Sequence, residues 1–163
     1  MLKFLLVVSA SVLFACGAPA ADPSGDIVYD PCEPVVITPS AELTAPQREG
    51  ITAAISLWRG VGLEAITLDP QAGTQRVPIR FIPTVAMLHG IYQPKTGEVQ
   101  VNTRMAGREL DITIAHELGH ALGLPHILAS ERVSVMNPGN STIAPTPDDE
   151  RQLRVRWSCL SKP

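Results

Sequence analysis

Residues 116–126 read His116-Glu117-Leu118-Gly119-His120-Ala121-Leu122-Gly123-Leu124-Pro125-His126. On a helix, positions i and i+4 lie on one face, one turn apart, so His116 and His120 present two imidazoles to one point. Glu117 is turned by about 100° from His116, because an α-helix has about 3.6 residues per turn. Its carboxylate therefore stands beside that point without being a ligand. Gly123 enters the left-handed region at little cost, so the helix stops there and the chain turns back. Pro125 stiffens the turn, and His126 returns as a third imidazole. Three imidazoles with a fourth position open make the donor set of a catalytic zinc rather than of a closed structural one.

Working outward, the spacing of Ile112, Ala115, Leu118 and Leu122 predicts an amphipathic helix from about Glu109 to Leu122. Val35–Thr38, Leu63–Leu68, Val77–Ile82, Met87–Tyr92 and Glu98–Asn102 read as strands. The turn Gln93-Pro94-Lys95-Thr96-Gly97 joins the last two. Thr44-Ala45-Pro46-Gln47 has capping-box spacing, and Ile51, Ile55 and Trp58 follow at i, i+4 and i+7. A helix over 45–59 is expected, ended by Gly60 and Gly62. Thr146-Pro147-Asp148-Asp149 opens a last helix that runs to about Arg156. This order of elements predicts an α/β domain with a mixed sheet.

The chain of 163 residues is long enough for one domain with a buried core. It is 45% apolar and 18% charged, within the globular range. Its net charge of −3 and 4% aromatic content argue against nucleic acid as a partner, which would favour a basic surface and stacking rings. Lys3 is followed by an apolar run from Phe4 to Ala15, shorter than the roughly 20 residues of a membrane span. That pattern is a secretory signal peptide. The run ends in Leu13-Phe14-Ala15-Cys16-Gly17, which resembles a bacterial lipoprotein signal. The resemblance implies that residues 1–15 are removed and that Cys16 carries lipid, with 16–29 as the tether. Cleavage after Ala18-Pro19-Ala20 is the alternative. Once Cys16 is lipidated, Cys32 and Cys159 remain, and an exported chain usually pairs them; two buried free thiols are the other reading.

HELGHALGLPH resembles the metzincin zinc-protease signature H-E-x-x-H-x-x-G-x-x-H. Ser134-Val135-Met136-Asn137-Pro138 is similar to the metzincin Met-turn in its matrixin form. Trp58 and the segment from His89 to Glu98 also resemble matrixin-like bacterial proteins. The resemblance implies a metzincin-like zincin domain over 30–163, with a twisted mixed sheet, an edge strand over a cleft, an active-site helix and a C-terminal helix. It implies His116, His120 and His126 as ligands of one catalytic zinc and Glu117 as the general base. Gly123 becomes the turn residue, and Met136 the Met-turn residue beneath the metal. An extended peptide would add to the edge strand, expected within Met87–Tyr92 and antiparallel to its neighbours.

The chain also departs from matrixins. Only Pro83-Thr84-Val85-Ala86 separates Ile82 from Met87, where matrixins hold a second zinc and calcium. His89 is the one spare histidine, so no second zinc is expected and calcium stays open. The matrixin Pro-x-Tyr wall reads Pro138-Gly139-Asn140 here. Cys32 as an inhibitory thiol is the alternative to its structural pairing.

These features point to an exported zinc endopeptidase that works as a monomer on peptide or protein and meets the membrane only through a lipid. A silent zinc-containing peptide-binding module of the envelope is the alternative. The retained Glu117 favours the enzyme, because a binder has no need of a base.

Overall fold

The computed structural model describes residues 25–85 and 87–161. The signal-peptide segment and Cys16 lie outside the described residues. Strand β1 (Val35–Pro39) is followed by helix α1 (Ala45–Arg59) and strands β2 (Ile66–Thr67), β3 (Gln75–Ile82), β4 (Gly90–Gln93) and β5 (Glu98–Asn102). Helices α2 (Gly107–Ala121) and α3 (Pro147–Arg156) and a 3-10 turn at Ser158–Ser161 complete the order. The five strands form one mixed sheet in the order β2-β1-β3-β5-β4. β1 pairs in parallel with β2 and β3, and β3 with β5, while β4 runs antiparallel to β5 at the edge. The expected mixed α/β architecture is therefore present.

Alternation along β3 explains the layering. Val77 and Ile79 are buried while Arg76 and Arg80 are exposed, so one face of the strand meets the core and the other meets water. Ile37, Val77, Ile79, Val99 and Val101 from the sheet join Ile51, Ile55 and Trp58 from α1 and Leu110, Ile114 and Leu118 from α2 in one cluster. Helix α1 begins as its sequence dictates, with the Gln47 side chain accepting the Thr44 N–H at 3.0 Å. Trp58 closes it onto α2: the ring is fully buried and its Nε1–H donates to the Ala115 carbonyl at 3.0 Å. Truncating a buried ring of this size costs about 3–5 kcal/mol.

Two strands are shorter than the residue pattern suggests. Of Leu63–Leu68 only Ile66 and Thr67 pair, because the Leu63 N–H turns back to the Trp58 carbonyl at 3.1 Å and its side chain plugs the end of α1. Apolar character at Leu63 reports burial there, not extension. Of Met87–Tyr92 only the part from Gly90 onward joins the ladder, which then continues to Gln93. The preceding loop is held instead by Asn102, whose Nδ2 donates to the Leu88 carbonyl at 2.8 Å and whose N–H donates to the His89 carbonyl at 2.8 Å.

The start of the described chain is built into the body. Within the segment assigned to the tether, Ile27 N–H donates to the Pro94 carbonyl at 2.7 Å and Tyr29 N–H to the Ala121 carbonyl at 2.8 Å. The Tyr29 hydroxyl reaches the Gly97 carbonyl at 3.0 Å, and the Tyr92 hydroxyl donates to the Ile27 carbonyl. Among the described residues no helix is long and apolar enough to cross a membrane.

Cys32 and Cys159 form a disulfide, with Cα atoms 5.7 Å apart across 127 positions of sequence. The bond ties the start of the domain to the turn after α3. For a loop of that length the chain-entropy model gives about 5 kcal/mol, an upper figure. Folded domains are stable by only about 5–15 kcal/mol, so the Cys32→Ser/Cys159→Ser protein is expected to melt well below the oxidised form. Thermal melts with and without reductant check this, and unchanged melting on reduction would contradict it.

Candidate functional site

Helix α2 ends through its own backbone. Gly123 has φ +91°, a conformation that strains any side chain, and its N–H donates to the His120 carbonyl at 2.9 Å. Leu124 N–H then returns to the Gly119 carbonyl at 2.9 Å. A side chain at Gly123 would also strike the guanidinium of Arg156 on α3. The reversal delivers His126 to the two histidines of the helix. His126 Nε2 lies 3.1 Å from His116 Nε2 and 3.1 Å from His120 Nε2.

The other ring nitrogens define the protonation. His116 Nδ1 lies 2.6 Å from the Val135 carbonyl and His120 Nδ1 lies 2.8 Å from the Leu124 carbonyl. A carbonyl only accepts, so each Nδ1 carries the proton and each Nε2 offers a lone pair. Burial lowers the pKa of both rings, His120 to about 4, against the upward pull of the carbonyl bonds. The lone pairs of His116 and His120 both turn toward His126 Nε2, and a cation among the three nitrogens would accept them. The three histidines could hold a metal ion. The only other such group among the described residues, Asp30 with Cys32 and Cys159, has its thiols committed to the disulfide.

The Val135 carbonyl is itself held in place. Val135 N–H donates to Asp149 Oδ2 at 3.1 Å, and the Ser134 hydroxyl donates to Asp149 Oδ1 while accepting the Met136 N–H at 2.9 Å. Asp149 is fully buried and also caps α3, accepting the Thr146 N–H at 2.9 Å. Arg132 approaches the same carboxylate at 3.3 Å and balances its charge. Asn137 Nδ2 ties the turn to the Ile127 carbonyl at 2.9 Å, next to His126. Met136 is fully buried and its sulfur seats on Gly119, where an added Cβ would fall 2.4 Å from Sδ. Met136 therefore lies under the helix turn that separates the two histidines, and contributes shape rather than a ligand.

Glu117 is buried and faces the cleft, and burial pushes its carboxyl up to about 7 in opposition to a hydrogen bond from the Tyr92 backbone N–H. Strand β4 crosses very close to it. A Cβ on Gly90 would lie 2.9 Å from Thr113 Cγ2 and 3.1 Å from Glu117 Oε1, so only glycine lets the edge strand approach α2 at this height. Between β4 and the turn after Met136 lies a cleft of about 600 Å³ that takes in Glu117, all three histidines, Leu88, His89 and Asn140. His89 stands on this rim, outside the three-histidine cluster.

The structure thus brings together His116, Glu117, His120, Gly123, His126 and Met136, while Cys32 and Cys159 stand apart from them as a pair. Sequence reasoning missed the parts played by Gly90, Gly119 and Asp149. Asp149 left a trace in its capping spacing to Thr146, but its second role depends on a turn fifteen residues upstream. The two glycines leave no local signal, since each answers to a contact from another element.

Replacing Asp149 with Ala removes the common acceptor of Ser134, Val135, Thr146 and Arg132. Breaking a buried charge pair of this kind costs about 3–5 kcal/mol, which denaturant titration of Asp149→Ala is expected to show. A loss below about 1 kcal/mol, the scale of an exposed pair, would mean that the network does not hold the turn.

A family model described as a protein of unknown function, DUF3810, matches residues 67–126, from the end of β2 to the third histidine. No curated protein matches the chain.

Proposed function

We propose that the protein is a zinc-dependent endopeptidase with a metzincin-like, matrixin-type domain. The observation that carries this reading is the meeting of three imidazole Nε2 atoms beside a buried carboxylate in an open cleft. Tetrahedral zinc at about 2.0–2.1 Å from each nitrogen requires nitrogens roughly 3.3 Å apart, and the two 3.1 Å spacings from His126 fit. Neutral imidazole donors suit zinc, and each His116 and His120 ring is oriented by a backbone carbonyl, as histidine ligands usually are. Three protein donors leave a coordination position open.

A zinc ion bound there supplies Lewis-acid polarisation of a carbonyl oxygen and acidification of water toward neutrality. The chain supplies the rest. Glu117 takes a proton from the attacking water as a carboxylate, and as the resulting acid gives it to the leaving amine. The Tyr92 N–H fixes one side of that carboxylate. Among the described residues no strand lies beyond β4, so its outer edge near Gly90 can pair with an extended peptide backbone. Backbone pairing is indifferent to side chains, which favours unfolded or extended segments of protein as substrate.

Glu117→Ala leaves the three histidines intact, so it is expected to retain one zinc per chain while casein hydrolysis falls by about 10²–10⁴-fold. His126→Ala is expected to lose the metal on dialysis against a competing chelator. Wild-type hydrolysis by Glu117→Ala, or by chelator-treated protein, would overturn the reading.

The proposal includes export with a lipid on Cys16, supported by the signal-like run 4–15. Fractionation of cells is expected to find the wild type with membranes and Cys16→Ser in the soluble fraction. A wholly soluble wild type beginning near Ala21 would point to cleavage after Ala20 instead.

A further inference from the structure

One buried polar group in the cleft has no place in the mechanism given above. Thr113 is 2% exposed and lines the cleft, and its Oγ1 has no hydrogen-bond partner among the described residues. Buried hydroxyls are normally paired, so an unpaired one beside a reacting site calls for a partner.

The nearest candidate follows from helix geometry. Thr113 precedes Glu117 by four residues on α2, which puts both on one face, one turn apart. Both side chains close on the same point of β4, the place a side chain at Gly90 would take. A Cβ at Gly90 would meet Thr113 Cγ2 at 2.9 Å, Glu117 Cγ at 3.0 Å and Glu117 Oε1 at 3.1 Å. The Thr113 methyl, not its hydroxyl, faces that junction. Methyl and hydroxyl of threonine are close in size and exchange places in a single χ1 step, and threonine in helices divides between two rotamers. Glu117 has acceptor capacity to spare: a carboxylate offers about four lone-pair sites, and the Tyr92 N–H occupies one. The buried hydroxyl lacks an acceptor, and the carboxylate can use a donor.

We propose that Thr113 is the positioning residue for Glu117, its hydroxyl donating to the carboxylate once the χ1 step has been made. With Tyr92 on one side and Thr113 on the other, the carboxylate is held at a fixed height over the histidines. Gly90 makes this possible, because any side chain there would occupy the shared space. The inference rests on the reading of Glu117 as the general base, and deepens it.

The test uses the full mature chain. Thr113→Val replaces the hydroxyl with a methyl of like volume, and Thr113→Ser keeps the hydroxyl. Thr113→Ala serves the same comparison where the valine methyl is poorly accommodated. Hydrogen bonds to charged groups are strong enough that kcat for casein peptides is expected to fall about tenfold in Thr113→Val, with KM unchanged and Thr113→Ser near wild type. Melting of the chelator-treated protein gives a readout independent of turnover. Thr113→Val is expected to lower Tm in the wild-type background and to leave it unchanged in the Glu117→Ala background. Equal Tm shifts in the two backgrounds would overturn the proposal. So would a raised KM with kcat intact and an altered preference among substrate side chains, which would make Thr113 a pocket residue. A protein that cleaves no peptide would defeat the peptidase reading alone, and the two melting series would still decide whether Thr113 holds Glu117.

Discussion

The hydrogen bond from His116 Nδ1 to the Val135 carbonyl, 2.6 Å long and buried, is the joint on which the site turns. It selects the tautomer of the first histidine. It also ties α2 to a turn that comes nineteen residues later. That turn is rigid because Asp149 gathers its amide and hydroxyl donors, and Asp149 is placed by the cap of α3. Helix α2, the turn and helix α3 are therefore joined by one circuit of hydrogen bonds that starts at the first imidazole. Each member would be costly to bury alone and is stable only with the others in place. Polar groups hold the geometry here, while the apolar packing of Trp58 and Met136 supplies the floor on which the circuit rests.

The opposite wall of the cleft is governed by a distance of approach. An edge strand can sit over a helix at ordinary separation with side chains between them. At Gly90 there is none, and the strand backbone comes down upon Thr113 and Glu117. The backbone amide of Tyr92 thereby becomes part of the polar site, at the expense of a ladder that begins late and a loop that Asn102 must hold.

Much of this was legible in the residues. Apolar periodicity places α1 and α2, because helices of this length must turn one face inward. The spacing from His116 to His126 contains the site geometry almost completely, since helix pitch and one glycine turn bring the rings together. The Cys32–Cys159 pair followed from the reasoning that an exported chain oxidises its leftover cysteines. The strand limits were not legible. Leu63 and the stretch before Gly90 carry strand-like side chains, but their backbone partners are the end of α1 and the side chain of Asn102. Nor were Asp149, Gly90 and Gly119, whose constraints arise between elements far apart in sequence. Local pattern reports what a residue does within its own element, and these three act across elements.

The methionine beneath the histidines bears on chemical durability. Met136 has no exposed surface and its sulfur is seated against Gly119, so an oxidant in water does not reach it in the folded state. Met87, on the rim of the same cleft, is 92% exposed. Thioether oxidation follows access, so of these two sulfurs Met87 is the one that an oxidant reaches first. The damage would turn an apolar edge of the cleft polar while leaving the floor under the histidines chemically intact. Oxidative ageing of this protein would thus alter what the cleft prefers to hold before it altered the histidine cluster beneath it.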